Sequence, residues 1–285
     1  KRLKYTNYSG LNLCLRLCGY KVLYLMHDQK VIQTIYLEEN ETKEYSIPFP
    51  YGEINEGVFW FSLEKSESEE SASIEGYFEG VIREEDKKHP EIVVDICTFR
   101  REDYVAKNLK TMTERIFQNH ELEVSAHLRV FVIDNGQTLS DNRKIQELIK
   151  QSQEKITVFP NINTGGAGGF TRGMLEALRI KDKEKITHVL LMDDDAVFAP
   201  DLFVRVYGFL AGLKEKYRDI TVGGALLRED YPYIQHACGE WLSGFAVENE
   251  NPLVDLRQYT NCTAEFMCTT SHAHDRYSGW WCCCY

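Results

Sequence analysis

The sequence lacks several features that would place it in a specialised class of protein. Its most apolar early segment, 11–26, is interrupted by Asn12, Arg16, Gly19 and Lys21, which leaves it short of the roughly 18 apolar residues that a membrane span needs. No signal peptide is recognisable at the start. Basic residues are outnumbered 33 to 44 by acidic ones, for a net charge of -11, and form no basic stripe. This balance excludes nucleic acid as the expected main partner.

Paired CxxC spacing is also missing, although nine cysteines are present. We therefore expect free thiols in a reducing compartment rather than a disulfide or zinc framework. The consecutive Cys282, Cys283 and Cys284 are interpreted as part of a buried apolar strand. Because the sequence begins without Met and stops in this apolar run, we expect it to be a piece of a longer protein.

Residues 1–88 predict a smaller all-β domain. Apolar and polar residues alternate over 11–18, which is the period of a half-buried strand, and the alternation recurs at 31–37, 59–63 and 74–82. Several short strands separated by turn residues indicate a β-sandwich.

Residues 89–285 show a different pattern, in which strands alternate with helices. Apolar runs predict strands at 92–96, 128–133, 156–159 and 188–192. The helix after the first strand is predicted to be capped by Asp103. This α/β alternation predicts a doubly wound, mostly parallel sheet, whose ligands bind at the carboxyl ends of the strands.

Three consecutive aspartates end the last predicted strand. Unpaired charge is costly there, so water or a cation must compensate it. Alternate residues of an extended strand face the same way, which predicts that Asp193 and Asp195 converge on one hard cation, Mn²⁺ or Mg²⁺, while Asp194 points elsewhere. By itself the triplet is equally compatible with a solvated acidic turn.

A glycine-rich loop follows the third predicted strand and includes Asn163, Gly165 and Gly166. It matches neither the dinucleotide-binding loop, which follows the first strand, nor the P-loop, which ends in Lys-Ser/Thr. Its glycines allow a ligand to approach the backbone, and the helix that begins there favours an anion. Arg172 can then reach a diphosphate. The alternatives are a flexible turn and an ordinary exposed arginine.

Taken together and in order, five segments resemble the inverting family 2 glycosyltransferases of GT-A fold. These segments are 97–100, 132–136, 163–173, 192–195 and 279–281. Within the family, the chain is most similar to the galactofuranosyltransferases that build galactan, a cell wall polysaccharide, and that carry a β-sandwich before the transferase domain.

The resemblance implies a metal-dependent transferase that uses a nucleotide-sugar donor, UDP-galactofuranose, and a glycan or lipid-linked glycan acceptor. The implied donor-site residues are Thr98, Arg100, Asp134, Asn163, Gly165, Gly166, Arg172, Asp193 and Asp194. Asp193 and Asp195 are the implied ligands of Mn²⁺ or Mg²⁺, which neutralises charge on the leaving nucleotide. The implied acceptor-side residues are His236, Trp241, Trp280 and Trp281.

The base that deprotonates the acceptor follows the Gly-Trp-Trp segment in the family, and we expect it beyond Tyr285. The piece is therefore expected to bind donor and can still be inactive. The family also implies a cytoplasmic location at the inner face of the cell membrane, with peripheral membrane association and self-association left open.

Three other functions remain open from the sequence. The chain can be a carbohydrate-binding protein built on a truncated transferase domain, which would bind sugar without transferring it. It can be a nucleotidyltransferase, which would require a triphosphate substrate. It can also transfer rhamnose or another hexose, because no residue visibly encodes the sugar ring.

Overall fold

The computed structural model describes residues 2–38, 41–52, 57–66, 72–243, 246–249, 252–262 and 276–285. The chain divides into two compact units. The first unit comprises residues 1–87, 212–215 and 255–272, and the second comprises 88–211, 216–254 and 273–285.

The amino-terminal part of the first unit is built almost entirely from antiparallel strands. Its elements are α1 (Arg2–Tyr5), β1 (Gly10–Cys18), β2 (Tyr20–His27), β3 (Lys30–Tyr36), β4 (Lys43–Phe49), β5 (Phe59–Lys65) and β6 (Ser73–Val81), followed by a 3₁₀ turn (Glu84–Asp86). The strands form two three-stranded sheets, ordered β4-β1-β6 and β3-β2-β5. All four strands predicted from alternation are present.

The two sheets share one apolar core. Alternate residues of β1 (Leu13, Leu15 and Leu17) and the β2 residues Leu23 and Leu25 are buried in the same cluster. Strands β2 and β4 were missed from the sequence for different reasons. Strand β2 is apolar at adjacent positions, which obscures alternation, and β4 contains a proline that its position at a sheet edge tolerates.

After residue 88, strands and helices alternate as predicted. The elements up to residue 211 are β7 (Ile92–Thr98), α2 (Glu102–Met112), a π-helical turn (Thr113–Phe117), α3 (Val124–His127), β8 (Leu128–Asp134), α4 (Arg143–Gln151), β9 (Ile156–Pro160), α5 (Gly165–Glu184), β10 (His188–Asp193) and α6 (Asp201–Ala211).

The remaining elements are shorter. They are a 3₁₀ turn (Glu215–Tyr217), β11 (Val222–Gly223), β12 (Leu226–Leu227), β13 (Ile234–Ala237), β14 (Glu240–Ser243), β15 (Ala246–Asn249), β16 (Val254–Asp255), α7 (Tyr259–Cys262), β17 (Arg276–Tyr277) and β18 (Cys282–Cys284). Strands β14, β15 and β17 form a small antiparallel sheet.

The second unit is an α/β fold around a six-stranded mixed sheet, ordered β11-β18-β10-β7-β8-β9. The last four strands in that order are parallel, as predicted. The cysteine-rich β18 runs antiparallel between β10 and β11, with Cys283 and Cys284 buried, which confirms its interpretation as a buried strand. Among the seven cysteines whose side chains are described, none forms a disulfide.

Helix α2 buries a continuous apolar face against this unit and continues into the π-helical turn. The residues of this face have no exposed surface: Val105, Leu109, Met112 and Ile116. The predicted cap at Asp103 is wrong, because the N-cap is Arg101 and makes no side-chain capping bond. Asp103 lies in the first turn, where a carboxylate favours the helix dipole. Among the described helices, none has the length and apolar character needed to cross a membrane.

Candidate functional site

The carboxyl ends of the parallel strands bring the predicted polar residues to one edge of the sheet. Thr98 ends β7 and lies opposite Asp134, which ends β8. Asp193 ends β10 and lies opposite Cys97 on β7. Asn163 follows β9 and precedes α5. These residues therefore occupy neighbouring strands at the edge where ligands of α/β sheets bind.

The aspartate triplet departs from the geometry that an extended strand predicts. Strand β10 ends at Asp193, and the two following residues form a turn in which the Ala196 amide donates to the Asp193 carbonyl at 3.3 Å. Asp194 is buried at 6% exposure, whereas Asp195 is exposed. The alternation argument for Asp193 and Asp195 therefore does not apply, because the chain is no longer extended after Asp193.

Asp194 is the anchor of a hydrogen-bonded network. The Thr98 hydroxyl donates to its carboxylate at 2.7 Å, and Arg101 Nη1 donates to it at 3.2 Å. The same Arg101 nitrogen lies 2.5 Å from Asp195 Oδ2. The Asn108 amide donates to the backbone carbonyl of Asp194 at 2.9 Å. Arg101 thus compensates part of the charge of two adjacent carboxylates.

The carboxylates of this triplet are of the chemical type that binds a hard divalent cation, but one oxygen from each does not lie within 4.8 Å of the others. Burial raises the pKa of Asp193, and the neighbouring Asp195 and Asp194 carboxylates raise it further, so negative charge at this edge exceeds what Arg101 compensates. Carboxylate oxygens are ligands of the kind that Mg²⁺ and Mn²⁺ prefer. A cation held by Asp193 and Asp195 would have to take the place of Arg101 at Asp195.

The first glycines of the loop leave an open surface. Gly165 begins α5 with φ of +73°, a conformation that favours glycine, and its amide donates to Asn163 Oδ1 at 3.0 Å. Gly165 and Gly166 are exposed, and a Cβ added to either would meet no atom within 4 Å. The amino terminus of a 20-residue helix is therefore accessible to a ligand at this edge.

The later glycines of the loop have a packing role instead. Gly169 is buried against the Cys97 side chain, and Gly173 is buried against the Asp95 carboxylate, so that a Cβ at either position would overlap its neighbour. These two glycines let α5 lie close to β7. Access for a ligand and packing of the helix against the sheet are therefore functions of different glycines in the same segment.

A buried carboxyl group, that of Asp95, lies in the sheet below this helix. Asp95 is fully buried, its carboxylate oxygens have no hydrogen-bond partner among the described residues, and burial raises its pKa to about 8. Burial, followed by the charges of Asp95, Asp194 and Asp193, raises the pKa of Cys97 to about 11. The charges of the triplet therefore raise the pKa of Cys97 on β7. This strand lies beneath α5, which we call the glycine helix.

Asn135 was not assigned a role from the sequence, yet it connects the loop after β8 to the segment 161–165 and to β7. Its amide nitrogen donates to the Gly165 carbonyl at 3.2 Å and contacts Cys97 Sγ at 3.4 Å. Its oxygen accepts from the Asn161 amide at 2.8 Å. The residue belongs to the Asp-Asn-Gly segment of the family motif. This motif was the sequence feature from which a role for Asn135 could have been predicted.

Asp134, predicted to hold the nucleoside, organises its own turn. It is fully buried, one oxygen accepts from the Gly136 amide at 3.0 Å, and the other accepts from the Leu139 amide at 2.8 Å. The carboxylate is thus committed to backbone donors, and any effect on a ligand would pass through the shape of this turn.

The two predicted arginines also have partners within the chain. Arg100 is exposed, has φ of +55°, and places its guanidinium 5.3 Å from the centre of the Phe99 ring. Arg172 donates to the buried Glu176 at 2.6 Å, and Arg179 donates to the same carboxylate. Neither guanidinium contacts the aspartate triplet. Arg101, which the sequence did not distinguish from its neighbour Arg100, makes that contact.

Trp280 and Trp281, two of the three tryptophans predicted on the acceptor side, differ in exposure. Trp280 is 37% exposed, meets the Phe170 ring edge-on at 5.4 Å, and donates to the Tyr285 hydroxyl at 3.2 Å. Because Phe170 belongs to α5, Trp280 lies near the glycine helix. Trp281 is less exposed and donates to the Gly224 carbonyl at 2.9 Å, which is a packing contact.

The other two predicted acceptor residues lie on short strands of the same unit. His236 is exposed on β13. Trp241 belongs to β14, and its side chain lies outside the described residues. Neither has a described contact with the carboxyl edge of the six-stranded sheet.

Comparison with known proteins gives the family of this chain. The sequence model of "Glycosyltransferase like family 2" matches residues 89–275, which is more than half of the 285 residues. The chain belongs to glycosyltransferase family 2. This match covers the six-stranded sheet up to β10, the aspartate triplet and the glycine helix, and it confirms the family indicated by the sequence motifs.

Two curated galactofuranosyltransferases are similar to the chain. The galactofuranosyltransferase GlfT2 of Mycolicibacterium smegmatis is 27% identical over 205 residues, and that of Mycobacterium tuberculosis is 26% identical over 201 residues. Each alignment covers 67% of this chain, which spans only 29% and 30% of the lengths of these relatives.

A solved structure with local similarity is the mannosyltransferase PcManGT from Pyrobaculum calidifontis in complex with GDP-Man and Mn²⁺. It is 18% identical, with a TM-score of 0.37, and the match covers 50% of this chain and 37% of the mannosyltransferase. Similarity at this level supports no inference about the glycosyltransferase family 2 member described here.

Proposed function

We propose that this chain carries the donor site of a transferase that moves galactofuranose from a UDP-sugar to a glycan or lipid-linked glycan acceptor with inversion. Its family membership and its weak similarity to two galactofuranosyltransferases support this proposal. The observation that carries it is the network of Thr98, Arg101 and Asp194 beside the open glycines.

The proposed donor lies across the carboxyl edge of the sheet. The nucleoside is proposed to contact Thr98 and Arg100, with Asp134 shaping the turn next to them. The diphosphate is proposed to approach Gly165 and Gly166, where the backbone borders open space and the helix dipole favours an anion. Arg172 would join it by releasing Glu176.

The proposed metal ligands are Asp193 and Asp195, and Asp194 is proposed to hold the turn between them through Thr98 and Arg101. When bound, Mn²⁺ or Mg²⁺ supplies positive charge that stabilises the departing nucleotide. Arg101 is the residue that compensates these carboxylates in the structure, and its release from Asp195 would leave both proposed ligands available.

The acceptor sugar is proposed to bind on the side of Trp280, with His236, Trp241 and Trp281 nearby. Trp280 supports this part of the proposal because its ring is partly exposed and packs against Phe170 of the glycine helix. An exposed indole face suits the apolar face of a sugar ring. None of the described residues is assigned as the base.

We also propose two domains and a cellular location for this chain. We assign residues 1–88 as a β-sandwich domain and 89–285 as a GT-A-type domain, with a cytoplasmic location at the inner face of the membrane, where lipid-linked acceptors are found. The shared apolar core of the two three-stranded sheets supports the sandwich assignment.

Calorimetric titration of UDP, with and without Mn²⁺, tests the donor site. We expect Mn²⁺-dependent binding to the unmodified chain and none to Asp195→Ala, with unchanged binding to Asp182→Ala, a matched exposed aspartate near the other end of α5. Absence of UDP binding by a folded chain, or equal binding by Asp195→Ala, would contradict the proposal. UTP turnover would favour a nucleotidyltransferase, and sugar binding without UDP binding would favour a carbohydrate-binding protein.

Gly166→Ala provides a second test that leaves the fold intact. A methyl group at this position meets no atom of the chain, so thermal stability should not change. If the diphosphate approaches the backbone here, UDP binding should weaken by roughly tenfold, since one misplaced contact costs about 1.4 kcal/mol. Unchanged UDP affinity would remove the glycine loop from the donor site.

A further inference from the structure

A second group of potential metal ligands lies at the opposite edge of the same sheet. His89 precedes β7, His127 is the last residue before β8, and Glu123 precedes the short helix that ends at His127. Since β7 and β8 run parallel, these residues gather at the amino ends of the strands, away from the aspartate triplet.

The three side chains are close enough to share one ion. One ligand atom from each lies within 4.8 Å of the others, and in the part of the chain that the structure describes no other three such groups come so close. His89 Nδ1 is 3.6 Å from Glu123 Oε1. Around a tetrahedral zinc ion, bonds of about 2.0 Å place ligand atoms roughly 3.3 Å apart.

The surroundings orient two of these groups as metal sites require. His127 Nδ1 lies 2.7 Å from Glu91 Oε1, which leaves its Nε2 as the ligand nitrogen. The Tyr207 hydroxyl donates to Glu123 at 3.0 Å, and its ring stacks on that of His127 with centroids 5.3 Å apart. A carboxylate behind a ligating histidine fixes the tautomer and raises the basicity of the ligand.

The geometry points to a site for Zn²⁺, or another transition metal that prefers nitrogen, held by His89, Glu123 and His127 with water as the fourth ligand. Two imidazoles and one carboxylate form a donor set known for zinc and unsuited to Mg²⁺. The ion would tie the segment that enters β7 to the loop that enters β8. It is independent of the proposed donor site, which offers oxygen ligands only.

The competing explanation is an ordinary surface cluster that binds no metal. The side chains of His89 and Glu123 are 52% and 42% exposed, so water can satisfy both. A metal site and a solvated cluster differ in one measurable property. The first binds one ion through all three residues, whereas the second binds none or binds through any exposed histidine.

Co²⁺ spectroscopy and Zn²⁺ titration of the whole chain after chelator treatment distinguish these cases. We expect one Co²⁺ to give the strong visible absorption of a four-coordinate site and Zn²⁺ to displace it. His89→Ala and Glu123→Gln should each weaken Zn²⁺ binding by at least about tenfold. Zn²⁺ should also raise the Tm of the unmodified chain by several degrees and of neither variant.

Two control variants make the result specific. His120→Ala removes an exposed histidine that is close to Glu123 in sequence but outside the cluster, and Asp195→Ala removes the proposed ligand at the other edge. Both should keep the Co²⁺ spectrum and the Zn²⁺ affinity of the unmodified chain. The inference is overturned if His89→Ala binds Zn²⁺ as well as the unmodified chain, if His120→Ala loses as much affinity, or if Asp195→Ala abolishes binding.

Discussion

The two edges of the six-stranded sheet differ in whether their charged side chains are paired with groups of opposite charge. At the amino ends of the strands, Arg129 pairs with Glu184 at 2.5 Å and His127 pairs with Glu91 at 2.7 Å. At the carboxyl ends, three aspartates (193–195) face the single guanidinium of Arg101. An edge whose charges are paired contributes to stability, whereas one with surplus charge of one sign is suited to a ligand of the opposite sign.

The edges also differ in the atoms that they offer. The carboxyl edge presents carboxylate oxygens and, at Gly165 and Gly166, helix backbone that borders open space, which suits a hard cation and an anionic ligand together. The amino edge presents two imidazoles and a carboxylate, which suits a transition metal. We therefore propose two cation sites on one sheet, which different metals should distinguish.

The largest expected effect concerns the buried carboxyl group of Asp95, beneath the carboxyl edge. Burial raises the pKa of Asp95 from 3.8 to about 8, so between these values the folded chain binds more protons here than the unfolded chain. Stability should therefore fall as pH rises through this window, by up to about 1.4 kcal/mol per pH unit. In Asp95→Asn this fall should be absent.

Denaturant unfolding from pH 4 to pH 8 measures that difference. Subtracting the free energy of unfolding of the unmodified chain from that of Asp95→Asn isolates the contribution of this one carboxyl group. A difference that does not change with pH would mean that Asp95 is solvated or paired in the folded protein. The conclusion that burial keeps this carboxyl group protonated up to about neutral pH would then be wrong.

Much of the fold could be predicted from the sequence because the periodicity of apolar residues within each segment determines its secondary structure. The alternation in β1 and the buried face of α2 follow from periodicities of two and 3.6 residues, and both are present. The contact between Thr98 and Asp194 was not readable, since it joins residues 96 positions apart. The sequence alone does not show which strands are neighbours. Which arginine contacts the aspartate triplet, Arg100 or Arg101, depends on this arrangement of the strands.

The glycine loop illustrates the same limit. Its composition predicted close backbone approach but not which glycine approaches what. Only the structure separates Gly165 and Gly166, which face open space, from Gly169 and Gly173, which face β7. The His89 cluster was equally hidden, because His89 is distant in sequence from Glu123 and His127.

The next largest effect is expected from Gly173→Ala, which tests how the glycine helix docks. The added methyl group would overlap the buried Asp95 carboxylate, and overpacking of this kind costs about 3 kcal/mol. Thermal and denaturant unfolding would show the loss, with Gly166→Ala as the matched control that should unfold like the unmodified chain. Equal stability of the two variants would contradict the packing role.

The smallest expected effects have opposite signs at the two edges. Asp193→Asn removes a carboxylate whose pKa is raised by burial and like charges, so it should stabilise the fold by about 1 kcal/mol at pH 7 while abolishing metal-dependent UDP binding. Glu91→Gln breaks the pair with His127 and should destabilise it by about 1 kcal/mol.

Both variants are compared by denaturant unfolding in the presence of chelator, so that bound metal does not contribute to the free energy of unfolding. Changes of the same sign in the free energy of unfolding of both variants would contradict the proposed difference between the two edges. In that proposal, charges are paired at the amino edge and in surplus at the carboxyl edge.

Electron paramagnetic resonance of Mn²⁺ tests the central claim, that the carboxyl edge holds a metal together with a nucleotide diphosphate. Addition of the chain to Mn²⁺ and UDP should diminish the signal of free Mn²⁺ more than UDP alone does, and Asp195→Ala should abolish this difference while His89→Ala retains it. A free Mn²⁺ signal that is the same with and without the chain, or a loss that depends on His89 instead of Asp195, would contradict the account.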